Sequence, residues 1–230
     1  MLDVRQTFPD GGYQWASLSA PVSGPISSLS VGPSGLGDAL IAFQQGLSST
    51  SQVAVAYVQA PPHDFLAFAP LNWVGPRGVA ITWQAAENVI GPVTYAVAVD
   101  GRVRVRGLYG LGYRLSPRGL GAGVHRVRVI ATDSAGEETF TPVAKLKVDP
   151  TPPRVHVRQL SGDRFEVTVR DRASGVHARS TVISFGDGTA PVTGKNSVVH
   201  SYSPGVYRIT VHCANTVGIH GVERIWVQAP

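Results

Sequence analysis

Two stretches of this chain repeat one another. "GVHRVRVIATDSAG" (Gly123–Gly136) and "GVYRITVHCANTVG" (Gly205–Gly218) share five identical positions at an offset of 82 residues, and most other positions exchange like for like. Upstream, "AVDG" (Ala98–Gly101) lies over "FGDG" (Phe185–Gly188) and "LSP" (Leu115–Pro117) over "YSP" (Tyr202–Pro204), both at an offset of 87. The difference of five is the length of "RGLGA" (Arg118–Ala122), which only the first copy has. An insertion in a surface loop between matching strands accounts for it, so the chain holds two copies of one unit.

The unit is built of strands. Period-two alternation marks "VAITWQ" (Val79–Gln84), "VTYAVAV" (Val93–Val99), "VHRVRVIAT" (Val124–Thr132) and "PVAKLKV" (Pro142–Val148) in the first copy. In the second it marks "RVHVRQL" (Arg154–Leu160), "RFEVTVRD" (Arg164–Asp171), "VYRITVHCA" (Val206–Ala214) and "ERIWVQ" (Glu223–Gln228). No segment carries a helical period. With 26 Gly and 17 Pro against 15% charged residues, the composition favours short strands and many turns. The expected fold is all-β: tandem immunoglobulin-like β-sandwiches at 75–149 and 150–230, preceded by a smaller N-terminal β segment at 1–74. Between the sandwiches, "VDPTPPRV" (Val148–Val155) places three prolines in four residues, which hold the joint extended and restrict flexing.

Residues 1–74 differ from the rest in charge as well as in pattern. They hold one Arg and four Asp, whereas 75–149 hold ten basic and six acidic residues and 150–230 nine and five. Three strand-like runs, "ALIAFQQG" (Ala39–Gly46), "QVAVAYVQ" (Gln52–Gln59) and "FLAFAP" (Phe65–Pro70), suggest one propeller-like blade or the torn end of a longer protein. The chain opens abruptly in strand-like material, as an excised piece does. No run of about 18 apolar residues is present, so no membrane insertion is expected.

The second copy has a family resemblance. "SFGDGT" (Ser184–Thr189) followed by "VVHSYSPGVYRITVHCANTVG" resembles the polycystic-kidney-disease-type (PKD) repeat, an immunoglobulin-like sandwich with an F-G-D-G turn, then H-x-Y and G-x-Y. Phe185, Gly186, Asp187, Gly188, His200, Tyr202, Gly205 and Tyr207 match; the tryptophan usual two residues before the Phe is Ile183 here. The first copy lacks the FGDG turn and looks like a generic immunoglobulin-like or fibronectin type III domain. The resemblance implies spacers and protein- or carbohydrate-contacting modules in secreted bacterial proteins and cell-surface receptors. It also implies that His200 makes a hydrogen bond inside the fold.

Several constellations carry chemistry in other proteins, and each has a simpler reading here. The Asp-Gly pairs suit tight turns, so Gly186, Asp187 and Gly188 read as a structural corner, with Asp100 in "AVDG" as its sister. The seven histidines show no zinc-ligand spacing, and no G-x-S-x-G elbow is present; no catalytic residue, cofactor or metal is expected. "GRVRVRG" alternates, which puts Arg102, Arg104 and Arg106 on one face and Val103 and Val105 on the other, with Arg126 and Arg128 extending the ladder if their strand joins the sheet. Such a ladder suits an acidic polymer or partner surface; without aromatic platforms it gives no specific nucleic-acid site. Tyr109 and Tyr113, in or beside a Gly-rich loop, are the candidates for exposed ligand contact, while Trp83 and Trp226 stand at core-like positions. The lone Cys213 cannot form an internal disulfide and reads as a small buried strand residue.

These readings converge on a non-catalytic spacer and adhesion or protein-binding module of a larger exported bacterial protein, located outside the cell or on its surface. Its partners are other protein domains or surface polymers such as polysaccharide. The alternative is a carbohydrate-binding accessory module of a secreted hydrolase.

Overall fold

A computed structural model describes residues 2–7, 13–18, 25–33, 39–46, 51–58, 60–87 and 91–230. At the N-terminus, β1 (Leu2–Thr7) and β2 (Tyr13–Leu18) pair as an antiparallel hairpin, and β3 (Ile26–Pro33), β4 (Ala39–Gln45) and β5 (Gln52–Val58) form an antiparallel meander. Ile41 and Phe43 on β4 are buried, while Leu40, Val53 and Val55 stay exposed. Trp15 falls on β2, and its side chain lies outside the described residues.

The first sandwich is made of β6 (Ala67–Phe68), β7 (Val79–Trp83), β8 (Thr94–Val99), β9 (Arg102–Leu108), β10 (Gly112–Leu115), β11 (Gly123–Thr132), β12 (Glu138–Phe140) and β13 (Ala144–Val148). One sheet has the order β10-β7-β6; the other runs β12-β11-β8-β9, with β13 also on β11. Alternation puts Ile81 and Trp83, Val97 and Val99, Val127 and Val129, and Leu146 and Val148 inward. Each such buried side chain contributes about 1.5–3 kcal/mol. Phe65 and β6 belong to this core and sheet, so the sandwich takes in residues upstream of 75 that the sequence pattern grouped with the N-terminal segment. The last strand is split because Pro142 cannot donate. There the buried Thr141 hydroxyl accepts the Val129 amide, and the Thr141 amide donates to the Val129 carbonyl.

The second sandwich repeats the plan with β14 (Arg154–Ser161), β15 (Arg164–Arg170), β16 (Val182–Ser184), β17 (Val192–Thr193), β18 (Ser197–Ser201), β19 (Gly205–Ala214) and β20 (His220–Ala229). Its sheets are β14-β15-β18 and β17-β16-β19-β20 around Phe165, Val167, Ile183, Phe185, Ile209 and Val211. The repeat holds in detail at the turn after the long strand. Asp133 Oδ1 accepts the amides of Ala135 and Glu137, and Asn215 Oδ1, 82 residues on, accepts that of Ile219. Gly136 and Gly218 follow at φ 88° and 82°.

Register corrects the alignment of the other turn. Ala98 faces Arg128 and Ser184 faces Thr210, so β8 and β16 correspond at an offset of 86, not 87. Asp100 therefore stands where Gly186 does. In the first copy Asp100 and Gly101, at φ 50° and 77°, make a two-residue hairpin turn of the primed kind. In the second, Gly186 and Gly188 take positive φ on either side of Asp187.

Candidate functional site

The FGDG corner is tied to the sheet by its own side chains. Asp187 Oδ1 accepts the Thr189 amide at 3.1 Å and its hydroxyl at 2.6 Å, while Oδ2 lies 2.7 Å from His200 Nε2. The imidazole lies flat on the Phe185 ring, 3.8 Å between centroids, and the Tyr202 hydroxyl donates to the Phe185 carbonyl. Burial raises the Asp187 pKa, but the Thr189 hydroxyl, the His200 ring and the Thr189 amide outweigh it and bring the carboxyl down to about 2. Asp187 thus ties the corner to β18 as an ionised acceptor. Asp100 makes a different set of bonds, to the Arg126 amide and to His125 Nδ1 at 2.9 and 2.7 Å. The other nitrogen of His125 is 2.9 Å from the Gly121 carbonyl, so both ring nitrogens face oxygen acceptors and the ring is held between the hairpin and the loop before β11.

Asp149 joins the two sandwiches. Its amide donates to the Val74 carbonyl, and Val74 donates to Lys147, which makes its backbone the end of the first sandwich. Its side chain belongs to the second. The carboxylate is fully buried and accepts five hydrogen bonds: from the amide and hydroxyl of Thr151, the amide and hydroxyl of Ser174, and Nδ2 of Asn215. Burial pushes its pKa up; these donors, the Ser174 hydroxyl first, more than offset that and hold the carboxyl below its usual range. Two glycines mark close approaches at the joint. A methyl on Gly75 would meet the Ile219 and Val217 side of the second sandwich at 3.5 Å, and one on Gly221 would meet Pro152 at 3.0 Å.

The arginine ladder is broken by a bulge. Val97 faces Val105 and Ala98 faces Val103, so Arg104 is an extra residue on β9. Val105 consequently packs on the core and Val103 turns to the outer face, which overturns the strict alternation expected for "GRVRVRG". Arg106 remains outward; Arg104 lies near Asp100 and His125, and Arg102 is exposed at the hairpin end. Arg126 and Arg128 do join the same sheet, on β11.

A trough of about 600 Å³ lies on the outer face of the five-stranded sheet, lined by Ala98, Val103, Arg106, Arg126, Arg128 and Phe140 among others. Its floor is low because β8 presents Ala96 and Ala98 where larger side chains would fill it. Arg106 reaches from β9 to Glu138 on β12, Nη1 to Oε1 3.5 Å, across the two middle strands. That pair closes one end. Asp100 at the hairpin is already occupied by His125 and the Arg126 amide.

The tyrosines divide. Tyr109 is 75% exposed, whereas Tyr113 on β10 is half-buried against the core, and neither lines the trough. Trp83 is buried as its pattern suggests, but Trp226 is 67% exposed, because on β20 it is Val227 and Ala229 that face inward. The Arg208 guanidinium stands 5.6 Å from its ring centroid. Cys213 is buried, with burial first and Glu223 second pushing its thiol pKa up. Among the described residues, one group brings three possible metal ligands together. A ligand atom from each of His63, Asp64 and Glu87 lies within 4.8 Å of the others, the first and last facing across an antiparallel bridge. This donor set suits a borderline cation such as zinc, and the spacing in sequence gave no sign of it.

No family model matches the chain, and no curated protein does. Among solved structures it is similar to the fibronectin(III)-like modules of Clostridium thermocellum CbhA, at 12% identity and TM-score 0.34 over 72% of this chain and 94% of that one. It is also similar to the FN1-FN3 domains of chicken CNTN1, at 17% and 0.35 over 83% and 77%. A two-domain fibronectin type III segment of chicken tenascin aligns at 14% and 0.32 over 74% and 100%. The strand order and the two cores define the class independently of these likenesses: an all-β protein of tandem immunoglobulin-like β-sandwiches.

Proposed function

We propose that this chain is a non-catalytic spacer and binding region of a larger exported bacterial protein, at the cell surface or outside the cell. The observation that carries the reading is Asp149. A fully buried carboxylate whose backbone ends one sandwich and whose side chain is bonded within the next gives a joint that resists bending. A spacer needs that property, since it must hold what lies beyond it at a set distance. The exposed Trp226 and Phe140 favour the second reading, a carbohydrate-binding accessory module, over a bare linker.

Small-angle scattering of the full chain and of Asp149→Ala tests the joint. Removal leaves the Ser174 amide without its buried acceptor and Asn215 Nδ2 with the Thr151 carbonyl alone, at a cost of about 1–3 kcal/mol per unsatisfied donor. The variant is expected to keep both sandwiches folded and to broaden the pair-distance distribution. An unchanged distribution, with the variant folded, would remove the spacer reading.

A further inference from the structure

We propose that the outer faces of the five-stranded sheet of the first sandwich and the four-stranded sheet of the second bind a carboxylate-bearing polysaccharide, with arginine taking the carboxylate and a nearby aromatic ring taking the apolar face of the sugar. The inference rests on the reading of this region as a binding module and names its ligand class.

The first observation is uncompensated charge. Arg126 and Arg128 are exposed in the trough, and among the described residues neither is ion-paired. Arg126 also stands directly across from Lys145 on β13, a like-charge pair that costs stability unless an anion lies between or above it. The guanidinium fork matches a carboxylate in two parallel hydrogen bonds.

The second observation is the ring beside each arginine. Phe140, 51% exposed, borders the trough next to a floor of Ala98 and Ile130 low enough to admit a pyranose. In the second sandwich Arg208 occupies the position of Arg126, 82 residues on, and its cross-strand partner is Trp226. Thus each copy has an arginine on the long strand and an exposed aromatic on the neighbouring strand, although Trp226 faces Arg208 directly while Phe140 faces Ile130 and Arg126 faces Lys145.

A sugar polymer fits these faces better than an acidic peptide. A peptide docks on a sandwich chiefly by adding to a free edge, through main-chain hydrogen bonds. The trough lies across the face of the sheet, where the backbone groups of β8 and β11 already pair with their neighbours, so recognition falls to guanidinium and ring.

The experiment is affinity electrophoresis and titration calorimetry of the full chain with polygalacturonate, dextran and poly-L-glutamate. The variants are Arg126→Ala/Arg128→Ala, Trp226→Ala, and a charge-matched control, Arg154→Ala/Arg164→Ala, on the other sheet. Circular dichroism confirms that each is folded. Polygalacturonate is expected to bind, dextran and polyglutamate to bind at least about ten-fold more weakly, and the double trough variant to lose about ten-fold per charge-assisted contact. Trp226→Ala is expected to lower the number of sites per chain, and the control to lose less than about two-fold, the order of a non-specific charge effect. Any one of three results overturns the proposal: no binding of polygalacturonate by the folded protein, equal binding of polyglutamate, or equal loss in the control. A protein that keeps a fixed joint yet fails this test remains a spacer, so the two readings fail separately.

Discussion

Alanine at Gly186 and alanine at Gly188 separate two demands that the FGDG corner makes on its glycines. Both residues take positive φ, 80° and 86°, which costs a residue with a side chain about 1 kcal/mol. Only Gly186 adds a steric demand. A Cβ there would lie 2.5 Å from the Arg208 carbonyl oxygen and 3.1 Å from its carbon and nitrogen, all main-chain atoms of β19 that cannot swing aside. At Gly188 no atom lies within 4 Å. Forced overlap in a packed site adds about 1–3 kcal/mol, so Gly186→Ala is expected to lose about 2–4 kcal/mol and Gly188→Ala about 1. For a domain of this size each kcal/mol moves the midpoint by about 4–8 °C. Urea and thermal unfolding of the full chain, followed in the near-ultraviolet, read both. If Gly188→Ala matched or exceeded Gly186→Ala, the close crossing of the corner over β19 would be refuted.

Acid should act on the same corner. The folded pKa of Asp187 is depressed from 3.8 to about 2, so its stabilisation is complete above about pH 4 and is lost as pH falls towards 2. Urea midpoints measured between pH 6 and pH 2 should decline more steeply in the wild type than in Asp187→Asn across that window; parallel slopes would contradict the assignment. Cys213 is 2% exposed with a raised pKa, so a thiol reagent at pH 8 should find it unreactive in the folded protein and fully reactive in denaturant. Prompt native-state reaction would show that β19 does not seal it.

What the sequence made legible was the long strand and its mates. The repeat at 82 survives as matching turns after β11 and β19, and alternation places Ile81, Val97, Val129, Val167 and Val211 in the cores because sheet periodicity is local. Features that depend on register were not legible. One extra residue, Arg104, sends Val103 outward and breaks a ladder that simple alternation would draw. The same one-residue sensitivity moved Asp100 off Asp187 in the turn alignment. Strand β10 hides in a glycine-rich stretch, and its Tyr113, across from Ile81, is half-buried against the core. Trp226 looked internal because an aromatic in a strand usually is, yet the inward parity of β20 belongs to Val227. Asp149 carried no signal at all, since its partners Ser174 and Asn215 lie 25 and 66 residues away and only the fold brings them to it.

Residual dipolar couplings of the wild-type chain in a weakly aligning medium test the central claim, that Asp149 makes one rigid body of two sandwiches. The account predicts that backbone amides of 91–148 and of 154–230 fit a single alignment tensor. Two tensors of clearly different magnitude would mean that the sandwiches reorient independently, and would contradict it.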